Sequence, residues 1–132
     1  MPAYRLSRAA ELLGVSDDTL RRWIAAGRLT ATSDEAGRQV VDGAELAAFA
    51  QALAGAPDTG GSRESARNRF TGLITHVVRD TVMAQVEMQC GPYRVVSLIS
   101  REAADELGLQ PGVEAIASIK ATNVVIELSA ER

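Results

Sequence analysis

Side chains able to hold an anion are concentrated in three strings of this 132-residue sequence: Thr19-Leu20-Arg21-Arg22-Trp23, Ser65-Ala66-Arg67-Asn68 and Lys120-Ala121-Thr122. In the first, Leu20, Trp23 and Ile24 recur at i, i+3 and i+4. That period turns them toward a core and leaves Thr19, Arg21 and Arg22 facing elsewhere. Two guanidinium forks beside a hydroxyl can reach base edges and phosphates. Arg5, Arg8, Arg28 and Arg38 flank this helix and can neutralise neighbouring phosphates. The bland alternative is a solvated arginine face on a protein-interaction domain. In the other two strings Ser65 and Thr122 supply hydroxyls, and Arg67 and Lys120 supply charge. Lys120 is the only lysine among 14 basic residues. Taken alone, these positions also read as linker and a solvated strand end.

The elements that must carry these residues follow from local pattern. Ser7 is placed to cap a helix over Arg8–Leu13, and Gly14 to stop it. Ser16 caps a second helix, whose first-turn Asp17 and Asp18 suit the helix dipole and which Gly27 ends. Runs at Leu29–Thr32 and Arg38–Val41 enclose a turn, and Asp42 caps a last amphipathic helix through Leu53. Helix, tight turn, helix, hairpin, helix is the plan of a winged helix-turn-helix over residues 1–54. Residues 55–64, rich in Gly, Pro, Asp and Ser, predict a flexible linker. Residues 65–132 then alternate with period 2. Strands are expected over 70–77, 81–88, Tyr93–Ile99, Glu114–Lys120 and Thr122–Leu128, with a short Ser100-capped helix over Arg101–Leu107. The expected fold class is α+β: a small winged helix-turn-helix domain joined to a five-stranded OB-like barrel.

Charge and composition narrow the functions. The net charge is −3, and neither half is basic overall, so a uniformly basic nucleic-acid binder is excluded. Cys90 and His76 are each alone of their kind, which leaves no disulfide framework, no cysteine zinc site and no histidine pair. No run of 18 apolar residues occurs, and the N-terminus lacks the apolar stretch of a signal peptide, so a cytoplasmic protein with no membrane partner is expected. With no nucleophile–base pair, no paired catalytic carboxylates and no phosphate-cradling glycine loop, an enzyme is not expected.

The strings Tyr4-Arg5-Leu6-Ser7-Arg8-Ala9-Ala10, Leu13-Gly14-Val15-Ser16, Thr19-Leu20-Arg21-Arg22-Trp23 and Gly27-Arg28-Leu29 resemble MerR and excisionase-type DNA-binding domains over roughly residues 4–50. That resemblance implies double-stranded DNA as a partner. Ser65-Ala66-Arg67-Asn68, Gly72, Ile99-Ser100-Arg101-Glu102, Leu107-Gly108-Leu109-Gln110-Pro111-Gly112 and Ile119-Lys120-Ala121-Thr122 resemble the molybdate-binding Mop (TOBE) domain over residues 65–128. Ala103 stands where that family commonly has a serine. The second resemblance implies an oxyanion ligand, molybdate or tungstate. Ser65 and Thr122 hydroxyls, Arg67 and Lys120 charge, and backbone N–H groups near Ala66, Ala121 and the Ser100 helix entry would form its cage. It also implies self-association, a dimer at least and a hexamer by likeness, with anions bound between Mop domains.

Together these features lead to the expectation of an oxyanion-responsive, DNA-binding transcriptional regulator. Two alternatives stand beside it. One is a molybdate storage or buffering protein whose N-terminal domain serves assembly. The other is an excisionase-like architectural DNA binder without ligand control.

Overall fold

The computed structural model describes residues 2–55 and 65–129. The chain divides into two compact units, Met1–Pro57 and Asp58–Arg132. Apart from Gly55, the expected linker lies outside the described residues.

In the first unit the elements are β1 (Ala3–Arg5), α1 (Leu6–Leu13), α2 (Asp17–Ala25), β2 (Ala31–Ser33), β3 (Gln39–Asp42) and α3 (Gly43–Ala54). Antiparallel pairing gives the sheet order β1-β3-β2, with Tyr4 opposite Val41 and Thr32 opposite Val40. The buried core comprises Leu6, Ala9, Ala10, Leu20, Leu29, Val41 and Leu46. Ala9 and Ala10 are fully covered, and their small side chains let α1 approach its neighbours closely. The turn into α2 is built as its residues require. Gly14 adopts φ 72, the left-handed conformation that costs glycine little, and Val15 N donates to Ala10 O at 3.0 Å. Ser16 Oγ accepts from Thr19 N at 3.1 Å, and Asp42 Oδ2 from Glu45 N at 3.0 Å, so both expected caps form.

Ser7 does not cap α1. The helix begins one residue before it, at Leu6, and the residue in the cap position is Arg5, whose side chain makes no capping bond. The physical reason is β1, a strand too short to show a period. Its ladder with β3 keeps the chain extended through Arg5, and burial of Leu6 then turns it straight into helix.

In the second unit the elements are β4 (Ala66–Arg79), β5 (Met83–Cys90), β6 (Tyr93–Ser100), α4 (Arg101–Glu106) and β7 (Glu114–Lys120). The antiparallel order is β6-β5-β4-β7. The long β4 pairs with β7 through its first part and with β5 through its second, the two ladders sharing Leu73. Ile74, Val86, Met88 and Cys90 form the buried centre. Gly72 permits the close approach of β4 to β5: a Cβ there would stand 2.3 Å from Gln89 O and 2.7 Å from Cys90 Sγ. Helix α4 is tied down by Arg79, which pairs with Asp105 at 2.9 Å and donates to Leu109 O at 2.9 Å.

The α+β class holds, but the fifth expected strand does not form within the chain. After Lys120 the chain makes a single 3-10 turn, Ala121–Asn123, and residues 124–129 pair with no strand. Val125, Ile126 and Leu128 are 83%, 84% and 94% exposed. Alternating residues form a strand only where an edge is offered, and this segment meets none in its own chain. The sheet therefore ends with β6 and β7 as its two edges.

Candidate nucleic-acid interface and oxyanion site

Helix α2 presents Arg21 and Arg22 to solvent, because Leu20 is fully buried and Trp23 and Ile24 pack against the core. Arg21 borders two adjoining concavities. One, of about 420 Å³, brings it together with Arg5, Ser7, Asp17, Arg38 and Gln39. The other joins it to Ser16, Asp18 and Arg22. Arg22 Nη2 donates to Thr19 Oγ1 at 3.1 Å, and Ser16 Oγ donates to the same oxygen at 3.0 Å. Thr19 thus orients Arg22 and is itself held by the cap.

The remaining arginines diverge. Arg38 joins the cluster from the turn between β2 and β3, where it pairs with Asp34 at 3.4 Å. Asp34 also accepts from Arg38 N and Ala36 N, each at 2.9 Å. The Arg38 backbone N–H, ahead of its guanidinium charge, holds the Asp34 carboxyl below its ordinary range. Arg8 is engaged by Glu11 at 2.8 Å. The Arg28 guanidinium lies 5.4 Å from the Trp23 ring centroid and 5.3 Å from that of Phe49. Arg28 therefore braces the aromatic pair, and neither it nor Arg8 lines the Arg5–Arg21–Arg38 concavity.

In the second unit Ala66 stands opposite Lys120 in the β4–β7 ladder. The register then shifts so that Asn68, not Arg67, faces Ile119. This bulge leaves Arg67 exposed between two paired residues. Ser65 precedes the ladder on one side, and the turn holding Ala121 and Thr122 follows Lys120 on the other. Two strings far apart in the chain meet where Ala66 pairs with Lys120, as one exposed cluster of hydroxyls and cations. Its donor set fits a divalent tetrahedral oxyanion: guanidinium and ammonium charge, two hydroxyls and nearby backbone N–H groups.

Ser100 belongs to the β5–β6 ladder rather than to β4–β7. It pairs with Met83 at the end of the sheet where β4 reaches Arg79, whereas Ala66 begins the same strand. Its Oγ accepts from Ala103 N at 3.0 Å and caps α4. The concavity beside it is lined by Glu102, Asp105 and Glu106 as well as Arg101.

Comparison with known proteins matches the chain to two families of domains. A helix-turn-helix domain model matches residues 3–54, and the TOBE domain model matches residues 64–126. Over 63 residues the chain is 38% identical to molybdenum-pterin-binding protein 3 of Clostridium pasteurianum, covering 47% of this chain and 93% of that protein. The chain belongs to the TOBE-domain family. Its TOBE half is likewise 40% identical over 63 residues to a probable molybdenum-pterin-binding protein of Haemophilus influenzae, covering 47% of this chain and 91% of the relative. Among solved structures it matches a molybdate-binding protein from Sporomusa ovata at 28% identity and TM-score 0.49, over 51% of this chain and 100% of that one. An N-terminal helix-turn-helix domain precedes the TOBE domain.

Two residues of these sites were given no role by pattern alone. Asn68 Nδ2 donates to Ile119 O at 3.1 Å and so fixes the TOBE bulge that displays Arg67. Gln39, a neutral strand-start residue, stands among Arg5, Arg21 and Arg38 with an amide that can both donate and accept. Neither carries a sequence period or a charge that would mark it. Among the described residues no group of three or more His, Cys, Asp or Glu is placed to hold a metal ion. No described helix is long and apolar enough to cross a membrane.

Proposed function

We propose that this chain is a molybdate-responsive transcriptional regulator. Its helix-turn-helix domain, residues 1–54, binds double-stranded DNA through Arg21, Arg22 and Thr19, with Arg5 and Arg38 on flanking phosphates. Its TOBE domain, residues 65–132, binds the oxyanion with Ser65, Ala66, Arg67, Lys120, Ala121 and Thr122. The observation that carries this reading is the Ala66–Lys120 pairing, which joins two cationic, hydroxyl-bearing strings into one cluster. The names of the relatives, molybdenum-pterin-binding and molybdate-binding, point to molybdate as the anion. Tungstate, of similar size and charge, fits the same donors.

The anion site is incomplete in one copy. Lys120 and Arg67 are exposed, and the Ser100 hydroxyl is engaged in capping α4. A second copy closes the cage, so the anion binds at an interface between TOBE domains of a dimer or of a larger assembly such as a hexamer. Self-association also supplies what the DNA-binding half lacks. One small domain making a few phosphate contacts binds weakly and with strong salt dependence, and pairing on spaced half-sites restores affinity. Control requires the anion to favour one assembly or geometry over another, and about 1.4 kcal/mol of preference is a tenfold effect. Nothing in the reading requires catalysis, and its place of action is the cytoplasm.

The test is a pair of measurements on the full chain: calorimetry with molybdate, and DNA binding with and without it. Molybdate binding that shifts DNA affinity supports regulation. Molybdate binding with no DNA affinity makes the protein a store, its first domain serving assembly. DNA binding indifferent to molybdate makes it an architectural binder.

A further inference from the structure

Along α2 the side chains opposite the core form one stripe. Leu20, Trp23 and Ile24 face inward, so Asp18, Arg21, Arg22 and Ala25, all exposed, fall on the far side of the helix. With Ser16 they line a single open concavity. Arg22 is turned back onto Thr19, to which it donates at 3.1 Å. Asp18 and Arg21 are not so engaged. Among the described residues, neither side chain makes a hydrogen bond or an ion pair within the chain. Other acids of this unit are held: Glu11 by Arg8, Asp34 by Arg38, Asp42 by Glu45 N and Glu45 by Thr30 N. Asp17 stands apart from the stripe, beside Arg5 and Arg38 in the adjoining concavity.

A carboxylate on the outer face of a recognition helix is repelled by the phosphates on either side of the groove. It is tolerated where it accepts a hydrogen bond that DNA can give. An ionised carboxylate only accepts. In the major groove the base donors are cytosine N4–H and adenine N6–H, whereas guanine and thymine turn acceptor oxygens outward. Adenine also sets its N7 acceptor beside its donor, so cytosine suits an acceptor-only group better. Arg21 is the complement, a forked donor that matches guanine O6 and N7. Asp18 and Arg21 are three residues apart, a rise of ~4.5 Å along the helix against ~3.4 Å for one base step. Both side chains therefore address one base pair or two neighbouring pairs.

We infer that Asp18 is a specificity-determining residue of the DNA interface: its carboxylate accepts from the N4 amino group of a cytosine in the major groove, beside a guanine held by Arg21. The inference rests on the DNA-binding reading above and names the base that this face of α2 selects. Asp18 acts by rejection as well as by attraction, because it lowers affinity for every sequence that offers no donor at that point. A carboxylate kept only to suit the helix dipole would affect stability and leave base preference untouched.

The test incubates the full chain, with and without molybdate, with duplexes randomised over about two helical turns, and sequences those retained. The wild type is compared with Asp18→Ala and Asp18→Asn, each checked for folding by circular dichroism. The wild type enriches G·C by about tenfold at one position or two adjacent ones. Asp18→Ala stays folded, loses the cytosine preference there and keeps the preferences elsewhere. It also binds unselected DNA a few times more tightly, because a charge that phosphates repel is gone. Asp18→Asn turns the preference toward adenine, whose N6 and N7 an amide matches. A cytosine preference that survives Asp18→Ala overturns the inference and leaves DNA binding standing, as does a wild type that retains duplexes without any G·C preference. A wild type that retains no duplex in either condition overturns the DNA-binding reading itself. A variant that fails to fold shows that Asp18 serves the helix rather than a base, and overturns the inference.

Discussion

Ala66 and Lys120 face each other across the β4–β7 ladder, although they lie at opposite ends of the second unit's sequence. Their pairing sets the only lysine of the chain beside the exposed Arg67. Replacing Lys120 by Ala should therefore weaken molybdate binding by ~10–100-fold, the loss of one charge-assisted hydrogen bond. DNA affinity without molybdate should stay nearly unchanged. Equal calorimetric affinity in wild type and variant would remove Lys120 from the site.

The DNA surface has its own test. Changing Arg21 and Arg22 together to Ala should abolish a gel shift at moderate salt and lower the slope of log affinity against log salt by about 2. Arg8→Ala should do much less, because Arg8 already pairs with Glu11. If the double variant shifts DNA as the wild type does, α2 is not the recognition helix.

Gly72 is a packing requirement rather than a flexible point. A methyl group there would meet Gln89 O at 2.3 Å, and backbone oxygen cannot move aside without parting β4 from β5. Gly72→Ala should cost ~1–3 kcal/mol in urea unfolding, typical of overpacking a rigid site. A neutral result would mean that the two strands separate easily.

Acid sensitivity should report on the turn before β5. Asp80 accepts from Met83 N at 2.6 Å and Val82 N at 2.8 Å. The Met83 N–H, then that of Val82, hold its carboxyl below the ordinary value of 3.8, with the charge of Arg101 adding to the effect. A folded value below the unfolded one contributes stability that is fully present above 3.8 and is lost as pH falls through the lowered folded value. Thermal midpoints followed from neutral pH into acid should fall less steeply for Asp80→Asn, which starts lower. Parallel curves would show that Asp80 contributes nothing to the acid limb.

The cap of α2 links fold to interface. Ser16 Oγ accepts from Thr19 N and donates to Thr19 Oγ1, which in turn accepts from Arg22. Ser16→Ala should cost about 1 kcal/mol of stability, the usual worth of a helix cap. It should also weaken DNA binding more than that loss explains, because Arg22 loses a positioned partner. DNA affinity unchanged at a temperature where the variant stays folded would separate the cap from the interface.

Much of this was written locally. The caps at Ser16 and Asp42, the left-handed Gly14 and the core face through Leu20, Trp23 and Ile24 each depend on residues within one helical turn. Such short-range bonds hold in most tertiary settings, so the helix-turn-helix was legible from spacing alone. The alternation of β5 was equally plain, because it buries one face: Ala84, Val86, Met88 and Cys90 are all inside. The start of α1 was not, since three residues of β1 show no period and their conformation is imposed by β3.

The sequence by itself determined the two kinds of unit, most of their elements and the residues able to carry an anion. Only the folded chain decided which of those residues meet. Arg28 was drawn onto an aromatic pair, Arg5 and Arg38 were gathered beside Arg21, and the Ser100 hydroxyl was engaged as the cap of α4. It also decided that Val124–Leu128, a strand by pattern, has no partner in its own chain. The reason is common to all of these. A helix satisfies its backbone within a few residues, whereas a strand pairing or an ion cluster depends on segments far apart, or in another copy, arriving at one place.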